Sequence, residues 1–231
     1  MTVGLVVGVL VVHNLVTNLW FIDRGYVPVN LATAGLLVWL VGPEGLGLHV
    51  GWVPLAVGGA GAVVVLGLVG LIAWVPATRP LLADQRMAGV DARGTAWRAV
   101  VRIPRGTVVL EEVAFRGVLP SLMPAAVAAV LFGLWHIVPT ARTLDVNGVA
   151  RSWSARVAVL GGAVVVTTVV GLVFWELREA TGSLVAPALV HGAANSGATI
   201  AAFVVLRSAS TPAPADLLPD VTAEQAEEEA S

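Results

Sequence analysis

The chain has 231 residues, 57% of them hydrophobic and 12% charged, with a net charge of −2 and a mean hydropathy of +0.87. A soluble domain carries roughly 25% charged residues, so this composition excludes an ordinary soluble fold. The lack of cysteine excludes disulfides, thiolate metal sites and a cysteine nucleophile, and nothing in the charge pattern points to a nucleic-acid partner.

A helix needs about 20 mainly apolar residues to cross the hydrocarbon core. Apolar runs between the charged residues fit about seven such helices, within a range of about six to eight: 2–20, 28–42, 53–75, 105–122, 124–139, 156–177 and 184–206. The predicted fold is therefore all-α, a polytopic transmembrane bundle. The first run lacks the positive flank of a signal peptide and reads as a retained helix. Its His13, Asn14 and Asn18 are expected to form interhelical hydrogen bonds. His49, in a Gly- and Pro-rich connection, gets the same structural reading.

Between residues 79 and 105 Arg alternates with Leu, Val, Ala and Trp97. This pattern predicts a basic amphipathic helix on the cytoplasmic face, against anionic headgroups. Pro120 and Pro124 predict a short break between the fourth and fifth spans. Small-residue spacings (Gly58 to Ala62, Gly67 with Gly70, Gly161 with Gly162) suit close helix packing. The last stretch holds six acidic and no basic residues after Asp216 begins it, and it reads as a disordered acidic tail. The organisation predicted is residues 1–104 as N-terminal spans plus the basic segment, 105–206 as a catalytic membrane core, and 207–231 as the tail.

All 13 basic residues are Arg, and with abundant Val, Ala and Gly this suggests a GC-rich bacterial source and the cytoplasmic membrane as the site of residence. An external N-terminus puts Arg24, the six Arg from Arg79 to Arg105, Arg142, Arg151, Arg156 and Arg207 on the cytoplasmic side. Only Arg178 then lies outside, so the positive-inside rule favours this orientation.

Charged groups at bilayer depth cost at least ~2.5–3.5 kcal/mol and mark function by default. Glu111, Glu112 and Arg116 sit together in the fourth span. Glu112 and Arg116 are i and i+4, so they can neutralise each other on one face. Glu111 lies about 100° around the helix, which leaves it the available carboxylate and the better general base. His136 stands near the cytoplasmic end of the next span. His191 and Asn195, again i and i+4, point into one space from the last. One free Glu, two His and an Asn on three spans form a set able to do chemistry.

Glu111-Glu112-x-x-x-Arg116, Phe132-x-x-x-His136 and His191-x-x-x-Asn195 resemble the three motifs of the CPBP family, which covers type II CAAX prenyl proteases and Abi-like bacteriocin-processing or immunity proteins. Phe115-Arg116-Gly117-Val118-Leu119 and the Thr181–Ala188 lead-in are also similar to it. Ala180, where the family often has a basic residue, and Val185, where an aromatic is common, depart from the pattern. The resemblance covers about residues 105–200. It implies a helix bundle with a cavity open to the cytosol and an intramembrane endopeptidase acting on a peptide or membrane-protein substrate. In that scheme Glu111 and His136 activate water, His191 and Asn195 stabilise the oxyanion, and Glu112 with Arg116 support the site. Glu111, His136 and His191 are also the candidates for a His₂Glu zinc site, and a metal-free glutamate mechanism fits the same residues. The competing readings are a catalytically inactive immunity or scaffold protein of the same fold, and a small transporter with a proton relay. Internal repeats or paired broken helices would support the transporter, and the sequence shows neither.

Overall fold

The computed structural model describes residues 3–20 and 25–209, all helix, turn or loop, with no strand among them. The acidic tail from residue 210 onward and Arg24 lie outside the described residues.

Helix α1 is Val3–Leu19, α2 Tyr26–Val41 and α3 Trp52–Trp74. A single helical run over 92–122 follows, here α4. Then come α5 Ala125–Trp135, α6 Ile137–Asn147, α7 Trp153–Thr181 and α8 Val185–Ala209. Among the described residues four helical stretches are long and apolar enough to cross a bilayer: Trp52–Trp74, Ala125–Asn147, Trp153–Thr181 and Val185–Ser208. Helices α1 and α2 are apolar but shorter. Large apolar side chains such as Trp74, Val63 and Val165 are exposed, while Glu111, Glu112, Arg116 and His191 are buried. This inverts the usual distribution and is the architecture of a multi-pass membrane protein.

Two expectations differ from what is observed. The 79–105 segment is not one amphipathic helix: it begins as two 3₁₀ turns, Arg79–Leu82 and Gln85–Met87. Its second half is already the start of α4, capped where the Asp91 carboxylate accepts from Gly94 N at 2.7 Å. The first half is tied to α6 through Asp84, which accepts from the Arg86 side chain and backbone and from Asn147. Partial burial pushes the Asp84 carboxyl up, but these hydrogen bonds outweigh it and hold the group below its ordinary value. The helix break also sits at one proline rather than two. Met123 is extended (φ −154°, ψ 167°) ahead of Pro124, whereas Pro120 lies within α4. Most of α4 is π-helical, over Arg98–Val108 and Val113–Val118. Pro104 lies inside the first π stretch and Pro120 just after the second. A widened turn relieves the clash of a proline ring with the carbonyl four residues earlier, and π turns occur often at functional sites.

The core forms where α4 meets α1, α2 and α5, around Leu10, Leu37, Leu110, Phe115, Val118, Leu119 and Phe132. The α2–α3 loop closes one end: buried Leu46 packs there, Gly47 O accepts from Leu184 N at 2.8 Å, and Ser183 donates to His49 O. Of the small residues singled out in sequence, Gly58 meets the α8 backbone, where a Cβ would lie 2.7 Å from Ala186 Cα, while Gly67, Gly70, Gly161 and Gly162 face open space. Gly133 on α5 is tighter, since a Cβ there would lie 2.6 Å from Val164 O and 2.2 Å from Thr168 Oγ1 on α7. Gly133→Ala must therefore push α5 from α7. The expected cost is about 1–3 kcal/mol, read as a lower thermal midpoint in detergent, with Gly161→Ala as the neutral control.

Candidate active site

Helix α4 supplies Glu111 and Glu112 from the one α-helical turn, Val109–Glu112, between its two π stretches. Arg116 follows on the second stretch. Helix α5 brings Phe132, Trp135 and, at its end, His136. Helix α8 brings His191 and Asn195, and is fastened to α4 by Ser196 Oγ donating to Ala99 O at 2.7 Å.

His191 is the hub. Its Nδ1 lies 2.7 Å from Glu112 Oε1, and because a carboxylate only accepts, that nitrogen carries the proton. Its Nε2 is 3.0 Å from Asn195 Nδ2 and 3.6 Å from Glu111 Oε2. With the Asn195 amide donating, the ring is neutral and Nε2 is the acceptor. The ring also rests against Phe174, at 5.3 Å between centroids.

The ion pair expected between Glu112 and Arg116 is present but long, at 3.5 Å. The tight partner of Glu112 is His191. Arg116, 1% exposed, lays its guanidinium over Phe132 at 3.9 Å and Phe174 at 5.0 Å. Neither of its terminal nitrogens has a hydrogen-bond acceptor, so cation–π contact supplies much of its compensation. Glu111 is 6% exposed and differently held. Its Oε1 accepts from Trp135 Nε1 at 2.9 Å, while Oε2 has no hydrogen-bond partner. Two buried carboxylates thus lie near one guanidinium.

The structure thus brings Glu111, Glu112, Arg116, His191 and Asn195 into one network. His136 is beside it, outside it. Its Nδ1 donates to Phe132 O at 2.7 Å, leaving Nε2 free, and its ring meets the Phe132 edge at 4.6 Å. No hydrogen bond or ion pair joins it to those five among the described residues. Phe132 borders both histidine rings, 4.6 Å from His136 and 6.2 Å from His191.

As a zinc set, Glu111, His136 and His191 do not fit in this arrangement. His136 has no hydrogen bond to the other two, and no group of three or more His, Cys, Asp or Glu residues able to hold a metal occurs among the described residues. Trp135 was not singled out in sequence, where it is one of eight Trp, although its place directly before His136 in the second motif was a usable signal. On α1, His13 and Asn14 do make the interhelical bonds expected of them, to Thr33 and Asn30 and to the Trp135 carbonyl.

No curated protein and no solved structure matches the chain. A family model does match, that of type II CAAX prenyl endopeptidase Rce1-like proteins, over residues 94–197. That stretch holds Glu111, Glu112, Arg116, Trp135, His136, His191 and Asn195, and starts near the head of α4. The likeness to the Rce1-like type II CAAX prenyl endopeptidases therefore takes in every residue of the site.

Proposed function

We propose that the protein is an intramembrane endopeptidase that hydrolyses a peptide bond near the cytoplasmic membrane face. The observation that carries this reading is the unpartnered Oε2 of buried Glu111, 3.6 Å from His191 Nε2. A buried carboxylate oxygen without a donor is costly, and a water bound there would satisfy it and stand ready for attack.

The roles follow from hydrogen-bonding capacity. Glu111 takes a proton from the water as its oxygen adds to the scissile carbonyl carbon, and later gives that proton to the departing amine. His136, through its free Nε2, orients the water from the α5 side. Asn195 has a second N–H beyond the one on His191, and aims it at the tetrahedral oxyanion. His191, with its ring Nε2 accepting from Asn195, turns that amide towards the oxyanion. Glu112 and Arg116 keep that ring in place. No step runs through a metal. The Arg distribution favours an active-site opening on the cytoplasmic side and residence in a bacterial cytoplasmic membrane. The substrate class is a peptide precursor or the end of a membrane protein.

The test is a comparison of membrane peptides from cells carrying the wild type or Glu111→Ala. Specific uncleaved precursors are expected to accumulate in the variant strain. Identical peptide profiles with full biological function would instead favour a non-catalytic immunity or scaffold role.

A further inference from the structure

Helix α1 lies outside the matched residues 94–197 and has no acidic or basic side chain apart from His13. Its buried polar pair, His13 and Asn14, nonetheless meets the active site. The cause starts at Pro139. Proline has no N–H, so the carbonyl of Trp135, four residues earlier, loses its helical donor. Within a bilayer no water replaces it. Asn14 does: its Nδ2 donates to Trp135 O at 2.8 Å.

The same Trp135 holds Glu111 through its indole N–H at 2.9 Å. The His13 ring lies nearly parallel to that indole, 12° between planes and 6.1 Å between centroids. His13 is itself locked to α2, by Nδ1 against Thr33 Oγ1 at 2.9 Å and by Nε2 against Asn30 Oδ1 at 3.3 Å. Asn30 in turn donates to Tyr26 O. Side-chain packing holds the indole from the α4 side, where Phe115 meets it edge-on at 5.5 Å. A cavity of about 230 Å³ opens between α1 and α5, lined by Leu10, Asn14, Phe115, Leu131 and Trp135 among others. The polar bridge crosses a gap that apolar contacts leave open.

We propose that α1 is a positioning element of the active site: Asn14 and His13 hold the Trp135 indole on Glu111 Oε1 and so decide that Oε2 is the oxygen left for water. The contact stands on geometry, and its catalytic consequence rests on the protease reading above.

The experiment uses the full chain in detergent micelles with ¹⁵N-labelled Trp. The Trp135 Nε1–H resonance is assigned by its loss in Trp135→Phe, and Glu111→Ala marks its position without the carboxylate. Asn14→Leu is expected to move the resonance towards that marker, and Asn14→Gln to restore it at least partly. On a quenched-fluorescence peptide ending in a prenylated CAAX motif, Asn14→Leu should lower kcat about tenfold with KM unchanged, within the ~100-fold that an ångström of misplacement can cost. His13→Leu leaves the Asn14 bond intact and covers the case in which Asn14→Leu does not fold; it should move the same resonance less far. A resonance unmoved in every folded variant overturns the proposal, as does a higher KM with kcat intact. A moving resonance in a protein whose wild type leaves this peptide uncut supports the positioning contact, and the protease reading is then decided by the precursor comparison in Glu111→Ala cells.

Discussion

Glu111→Gln is expected to reduce peptide-bond cleavage by roughly 10²–10⁴-fold, the range that a positioned general acid–base group contributes, while leaving the thermal midpoint close to that of the wild type. Gln keeps the shape of the side chain, and its carbonyl oxygen can still accept from Trp135 Nε1, now 2.9 Å from Glu111 Oε1. What it cannot do is take a proton. The variant thus separates chemistry from architecture at one position. Steady-state rates on a purified precursor, with a detergent thermal melt alongside, make the measurement. Cleavage at the wild-type rate would remove Glu111 from the mechanism. Glu112→Gln is the informative contrast: it touches the buried ring of His191, at 2.7 Å, and the guanidinium of Arg116, at 3.5 Å. That variant should lose rate through a misplaced His191 and lose stability as well.

Removing Arg116 should have the largest effect on stability. Arg116→Met leaves Glu111 and Glu112 buried with no cation beside them, and breaking a buried charge set by deleting one partner costs about 3–5 kcal/mol. For a chain of this length that corresponds to a thermal midpoint lowered on the order of 10 °C. Arg116→Lys should recover little. The guanidinium is flat and stacks over Phe132 and Phe174 at 3.9 and 5.0 Å, whereas an ammonium is a compact, strongly hydrated point charge. The double variant Arg116→Met with Glu112→Gln takes out both charges of the pair and should regain much of the lost stability. Midpoints that do not fall in Arg116→Met would mean that the guanidinium is not compensating the carboxylates.

The side-chain set was largely legible before the fold was known, for a reason that is local. An i, i+4 spacing puts two side chains on one helical face whatever surrounds it. His191 and Asn195 accordingly meet at 3.0 Å, and Glu112 and Arg116 share a face at 3.5 Å. The pairings between helices were not legible, since they depend on how far each helix is rotated and where it crosses its neighbour. The sequence suggested Arg116 as the main partner of Glu112 and Glu111 as a carboxylate without one. Packing α8 against α4 makes His191 the closer partner of Glu112, and packing α5 against α4 gives Glu111 the Trp135 indole. The π turns of α4 add to the difference, because they change the angular step that any α-helical wheel assumes.

By itself, then, the sequence determined the solvent and the inventory. Long apolar runs dictate membrane helices, because backbone polar groups in hydrocarbon must bond within their own segment, and the few charged residues inside those runs name the side chains available for chemistry. Tertiary structure alone decided which of them act together. Glu111, Glu112, Arg116, His191 and Asn195 converge on one network while His136 stays outside it, against Phe132. It also drew α1 into the site, through Asn14 on a carbonyl that Pro139 leaves without a donor. Contacts between residues 24 to 121 positions apart have no local pattern to announce them. They follow from helix crossings that only the packed bundle defines.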